Sequence, residues 1–270
     1  MAETRSLVLA VRQRLRGRDL ALVAGGLTFY AGIAAVPLLL VSIRLTGLLR
    51  GRGEVSRLFG RLAALLPARL GAPGVVRQLV ATGLGMDALH VVLALLPLSL
   101  YGEGLRRALL RFAPHHDRLT SWRGRLAALV LVPLAPLLLY PLLLAADVMA
   151  GLAAHSGAGA AISRFALGYY TVLVVLALVL GWSFRVVAAG RLRWAAVVAG
   201  ALFTAACLSG FLQGFVLFLA LPLSLGAPFG GLDAVGGTVA VALWLFALHL
   251  VVLVGWLSAL SLQERLATGT

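Results

Sequence analysis

The hydrophobic pattern of the chain is set by length before period. Six stretches, roughly 20–43, 87–105, 125–149, 163–184, 194–221 and 233–261, are apolar on nearly every face. An α-helix rises about 1.5 Å per residue, so about 20 residues cross a hydrocarbon core of about 30 Å. A helix that is apolar all round belongs among other helices and lipid, not against water. The pattern predicts an all-α integral membrane protein with six transmembrane helices in a single domain, residues 1–270. The second stretch is short and the last two are long, so tilted spans are expected.

The connection between the first two stretches, about 44–86, has a different pattern. Val55, Leu58, Phe59, Leu62, Leu65 and Leu66 recur at helical spacing, with Arg57 and Arg61 off that stripe. This predicts an amphipathic helix at the membrane interface. Pro67, Gly71, Pro73 and Gly74 interrupt it, and Val75 to Val80 suits a second short helix. Such a helix can serve as a lid over a membrane cavity or as a surface spacer between spans. The spacer is preferred, because many interfacial helices only anchor.

Composition strengthens the membrane assignment. The chain of 270 residues is 61% hydrophobic and only 12% charged. Globular domains are about 25% charged, and so few charges cannot cover a water-facing surface. The net charge is +14 and all 23 basic residues are arginine. They lie between the apolar runs, which suits lipid headgroups better than nucleic acid. With the N-terminus inside, 15 arginines fall on the inner side and eight outside. That bias places both termini in the cytoplasm, although the first external loop is itself basic. The arginine-rich start leads into an apolar run too long for a cleaved signal, so the first span is expected to be retained. The lone Cys207 rules out an intrachain disulfide and a cysteine cluster.

Polar and helix-breaking residues inside the spans mark candidates for a substrate path. Pro37, Pro97, Pro133, Pro136 and Pro141 interrupt the spans. Kinked helices can enclose a space, though proline is also simply commoner in membrane helices. Gly210 and Gly214 form a small-xxx-small face for close packing. Asp19, Asp87 and Asp233 each open an apolar run and suit N-caps. Glu103 has Arg106 and Arg107 one turn on, at the inner end of a span. Asp147 can pair with Arg164 across the outer side. His249 lies midway along the sixth span, with Gln213 as a candidate partner. Tyr30, Pro37, Glu103, Asp147, Gln213 and His249 are therefore the substrate-path candidates.

No catalytic constellation is present: there is no nucleophile elbow, phosphate loop or zincin helix. The nine acidic residues are scattered, which gives a metal nuclease no ligand cluster. His115, His116 and Asp117 are adjacent loop residues without a second ligand set. No enzyme activity, metal or cofactor is expected.

Two stretches resemble the YihY/BrkB family. One is Leu22 to Leu39, with the aromatic pair Phe29-Tyr30, a small-residue stretch and Pro37. The other is Phe229 to Leu245, with an aromatic-glycine start and Trp244. Trp194 to Gly200, Arg106-Arg107 and Ser121-Trp122-Arg123 are similar to the family as well. The likeness runs from about residue 16 to 262. The chain departs from the family at Ala35-Val36, where serine is common, and at Gly255-Trp256-Leu257-Ser258, where a glutamate is usual. The resemblance implies a six-helix bacterial inner-membrane protein linked to envelope integrity, serum resistance and, in one branch, export of lipopolysaccharide precursors. An old ribonuclease label attaches to the family, and the residues here do not support it.

The leading expectation is a cell-envelope protein that transports or accommodates a lipid-like substrate, with membrane lipids and not nucleic acid as partners. The alternative is a non-transporting envelope scaffold. The sequence sets no oligomeric state.

Overall fold

A computed structural model describes residues 19–66, 72–113, 122–153, 157–188, 192–221 and 223–268. Its elements are α1 (Leu20–Arg50), α2 (Arg52–Leu65), α3 (Ala72–Gly85), α4 (Ala88–Arg111), α5 (Trp122–Leu129), α6 (Leu131–Leu152), α7 (Ala158–Trp182), α8 (Trp194–Ala220) and α9 (Asp233–Thr268). Six helical segments are long and apolar enough to cross a membrane: α1, α4, α5–α6 from Arg125, α7 with its extension, α8 and α9. Phe29, Leu137, Ile162, Leu217 and Leu243 lie bare on the outside. An aqueous surface would not carry so much exposed apolar area, whereas lipid accepts it.

The helices outrun the apolar stretches that predict them. α1 continues past residue 43 to Arg50, and α4 past 105 to Arg111, so both project polar turns beyond the apolar core. Two of the three predicted aspartate caps form. The Leu22 N–H donates to Asp19 Oδ1 and the His90 N–H to Asp87 Oδ1, both at 2.9 Å. The His90 backbone N–H, aided by its ring, holds the Asp87 carboxyl below its ordinary range. Asp233 does something else. It is the first residue of α9, and its Oδ1 accepts from the Gly226 N–H at 3.1 Å, closing the turn before the helix.

Pro133 also departs from expectation. The third span breaks at Val130, and Pro133 falls in the first turn of α6, where no intrahelical donor is needed. Pro37, Pro97, Pro136 and Pro141 lie inside their helices. At the far end of α7 the coil widens into a π-turn, Ser183–Val187, closed by the Ala188 N–H on the Ser183 carbonyl at 2.9 Å.

Both described chain ends lie at one end of the bundle, here the terminal end. It holds the largest core: Leu27, Leu109, Phe112, Phe184, Trp256 and Leu257, among others, pack into one cluster. Close approach of α8 and α9 makes that possible. A methyl group on Gly200 would lie 2.6 Å from Ala259 Cβ, and one on Gly255 would overlap Thr204. Without these glycines the helices would stand further apart. The predicted face at Gly210 and Gly214 is looser: Gly210 faces open space and Gly214 meets the Trp244 ring at 3.6 Å.

The opposite end, the hairpin end, is capped by α2 and α3. Val55, Leu58 and Phe59 of α2 pack with Val80 and Leu84 of α3 onto Ile43 of α1 and Leu143 of α6. The apolar stripe of the amphipathic helix therefore rests on protein. Arg52 Nη2 donates to the Leu84 carbonyl at 2.8 Å and Arg44 Nη1 to the same oxygen at 3.2 Å, so two of the loop's arginines secure the end of α3.

Candidate functional site

All six spans contribute to a cavity of about 300 Å³ that runs from the middle of the bundle toward its terminal end. Ala31 and Leu38 of α1, Leu98, Tyr101, Gly102 and Leu105 of α4, and Leu131 and Val132 of α6 form one part of the wall. Leu176, Leu180 and Ser183 of α7 and its π-turn, Leu208 and Leu212 of α8, and Leu245, Leu248, His249 and Val252 of α9 form another. These positions follow one rule. On α4, residues 98, 101, 102 and 105 are spaced i, i+3, i+4, i+7, and 245, 248, 249 and 252 repeat that spacing on α9. Each of these two helices turns one such stripe inward.

The described wall has no charged side chain. Its polar centre is His249, 5% exposed. Its Nδ1 lies 2.7 Å from the Leu245 carbonyl and its Nε2 3.3 Å from the Tyr101 hydroxyl. Thr28 Oγ1 stands 3.4 Å from Nδ1. One imidazole thus links α9, α4 and α1. Arg106 reaches the far side of the wall, with its Nη1 3.3 Å from the Val187 carbonyl at the end of the π-turn. A π-turn leaves backbone carbonyls out of register, and this buried guanidinium meets one of them.

The other substrate-path candidates do not converge on this space. Tyr30 packs on α4, where a methyl group on Gly104 would lie 2.6 Å from its ring. Pro37 is half-buried in α1, one residue before the wall residue Leu38. Glu103 is buried, and its Oε1 accepts from Arg107 Nε at 2.7 Å; its Oε2 has no hydrogen-bond partner among the described residues. Gln213 lies against Gly168 of α7, with its Nε2 3.0 Å from where a methyl group there would sit. His249 meets Tyr101 and Leu245, while Gln213 is turned toward α7 at Gly168. Asp147 lies at the hairpin end, 3.4 Å from Arg57 and 3.6 Å from Arg61, so it pairs with α2 and not with Arg164.

Among the described residues, no three His, Cys, Asp or Glu side chains come together as a metal site. His115, His116 and Asp117 lie outside the described residues. Neither α2 nor α3 lines the cavity, so the amphipathic pair is a cap on α1 and α6 and not its lid.

A family model described as Virulence factor BrkB matches residues 11–270, nearly the whole chain. The chain belongs to the BrkB family. No curated protein and no solved structure matches it. Two features of this BrkB chain escape a residue-by-residue search for charge: Tyr101, two positions before the conspicuous Glu103, and Thr28, two before Tyr30. Their signal is positional. Ala24, Leu27, Thr28, Ala31, Ala34 and Leu38 make a continuous inward stripe on α1, and Tyr30 is off it.

Proposed function

We propose that this BrkB-family protein sits in the bacterial inner membrane with both termini cytoplasmic and accommodates, and hands across the envelope, a lipid-like molecule in its central cavity. The supporting observation is the cavity itself, which is lined by all six spans and is apolar apart from Tyr101, His249 and Ser183. Ligand sites of this kind are concave, mainly apolar and supplied with a few polar groups that orient the ligand. An ion path would instead need charged or carboxylate groups along the wall. The reading includes no catalytic step, no cofactor and no nucleic acid. Orientation rests on the arginine bias across the spans.

The test is reconstitution of the purified chain into liposomes carrying labelled envelope lipids, beside an Ala31→Leu variant that narrows the cavity. Faster transbilayer movement or lipid retention by the parent, lost in the variant, is expected. No movement and no retained lipid across a panel of native lipids would defeat it. A second reading, a non-transporting envelope scaffold, is favoured by the solid core at the terminal end. It requires parent and Ala31→Leu to behave alike in that assay.

A further inference from the structure

The polar equipment of the cavity is small, and its hydrogen atoms can be assigned. A carbonyl only accepts, so His249 Nδ1, 2.7 Å from the Leu245 oxygen, carries the ring proton. Nε2 is then an acceptor, and the Tyr101 hydroxyl 3.3 Å away supplies its proton. Thr28 donates to the Ala24 carbonyl at 2.8 Å, and Ser183 to the Val179 carbonyl at 2.8 Å. Those two hydroxyl protons are committed to backbone. The Tyr101–His249 contact is long, since hydroxyl donors ordinarily reach acceptors at about 2.7–2.8 Å.

We infer that Tyr101 and His249 form a headgroup subsite for a single-chain lipid ending in an uncharged hydroxyl. The inference rests on the cavity being the site of a lipid-like molecule, and it names the class. A hydroxyl donates and accepts through one atom. Set between the two residues, it takes the Tyr101 proton on its oxygen and gives its own to Nε2, so every group stays paired. An ester carbonyl accepts only, which leaves Nε2 buried without a proton donor. A phosphate or carboxylate brings a charge to a cavity whose lining side chains carry none, and the guanidinium behind the wall, Arg106, is turned to the Val187 carbonyl. A bare hydrocarbon leaves the pair as it is and gains nothing from it. At roughly 30 Å³ per water-sized group, the cavity of about 300 Å³ admits a chain segment of about ten such groups.

The experiment uses the full chain in lipid nanodiscs and a ten-carbon alcohol with a photoreactive diazirine in its tail. Labelled peptides are mapped by mass spectrometry. Label is expected on α4 and α9, displaced by decanol at about one-tenth of the concentration required of decane, methyl nonanoate or decyl phosphate, the scale of one well-made hydrogen bond. In the double variant Tyr101→Phe, His249→Phe, which keeps neither the donor nor the acceptor, the advantage of decanol over decane disappears. A headless alkyl diazirine still labels the same peptides there, which shows the variant's cavity intact. Equal displacement of the alcohol probe by decanol and decane in the parent, or stronger displacement by decyl phosphate, overturns the headgroup subsite and leaves the cavity reading standing. Failure of both probes to label cavity peptides overturns both.

Discussion

The terminal end of the bundle and its centre are made by the same helices, yet one is solid and the other hollow. At the terminal end the inward stripes carry large rings. Trp256 and Phe184 are fully buried with centroids 5.3 Å apart, and the Trp256 Nε1–H donates to the Leu109 carbonyl at 2.8 Å. A turn or two away the same stripes carry Ala31 and Gly102 with leucines, and about 300 Å³ stays open. The nearest aromatic side chains of α1 do not fill it, because Phe29 is 65% exposed and Tyr30 packs against Gly104. In lipid, helices gain little from hydrophobic burial and hold together by packing and hydrogen bonds. The solid end therefore carries the stability, and the centre is free to remain open.

The sharpest way to break this division is Trp256→Ala. It removes the largest fully buried side chain among the described residues and one of the two donors to the Leu109 carbonyl, leaving only the Phe112 N–H. A loss of about 3 kcal/mol is expected, read as a lowered unfolding temperature in detergent. A loss no larger than that of a lipid-facing control such as Leu137→Ala would mean that the terminal end is not the structural anchor. At the centre the expectation reverses. Ala31→Leu adds volume where space exists, so its effect on stability stays within about 1 kcal/mol, while the lipid retained by the purified protein falls. A destabilisation comparable to Trp256→Ala would show that the centre is already filled and close-packed.

The spans and their order were legible from the chain because six apolar runs of bilayer length leave few alternatives. The site was legible only in part. His249 stood out as a titratable group at mid-span, and the cavity wall does include it. Glu103, Asp147 and Gln213 carry suitable chemistry but do not line this cavity. Charge attracts notice in an apolar sequence, but a helix presents one face in 3.6 residues, and facing decides participation. Tyr101 and Thr28 satisfy both tests. The Asp147 pairing was missed for a related reason. Its partners come from α2, about 90 residues earlier, and loop proximity to Arg164 says nothing about how α2 folds back onto α6.

Asp147 also provides the gentlest test of the separation between cap and cavity. Its partners Arg57 and Arg61 have side chains more than half exposed, at 55% and 58%, against 31% for Asp147. Water screens such pairs, and exposed ion pairs contribute about 0.2–1 kcal/mol. Asp147→Asn should therefore lower the unfolding temperature slightly in low salt, and the gap from the parent should close in high salt as screening removes the pair's value. Retained lipid should not change, because α2 and α3 contribute nothing to the cavity wall. If Asp147→Asn instead altered lipid retention with little change in stability, the tie between α2 and α6 would be governing the cavity from the hairpin end. The cap would then belong to the functional unit, and the division between a stabilising end and an open centre would have to include a third, controlling part.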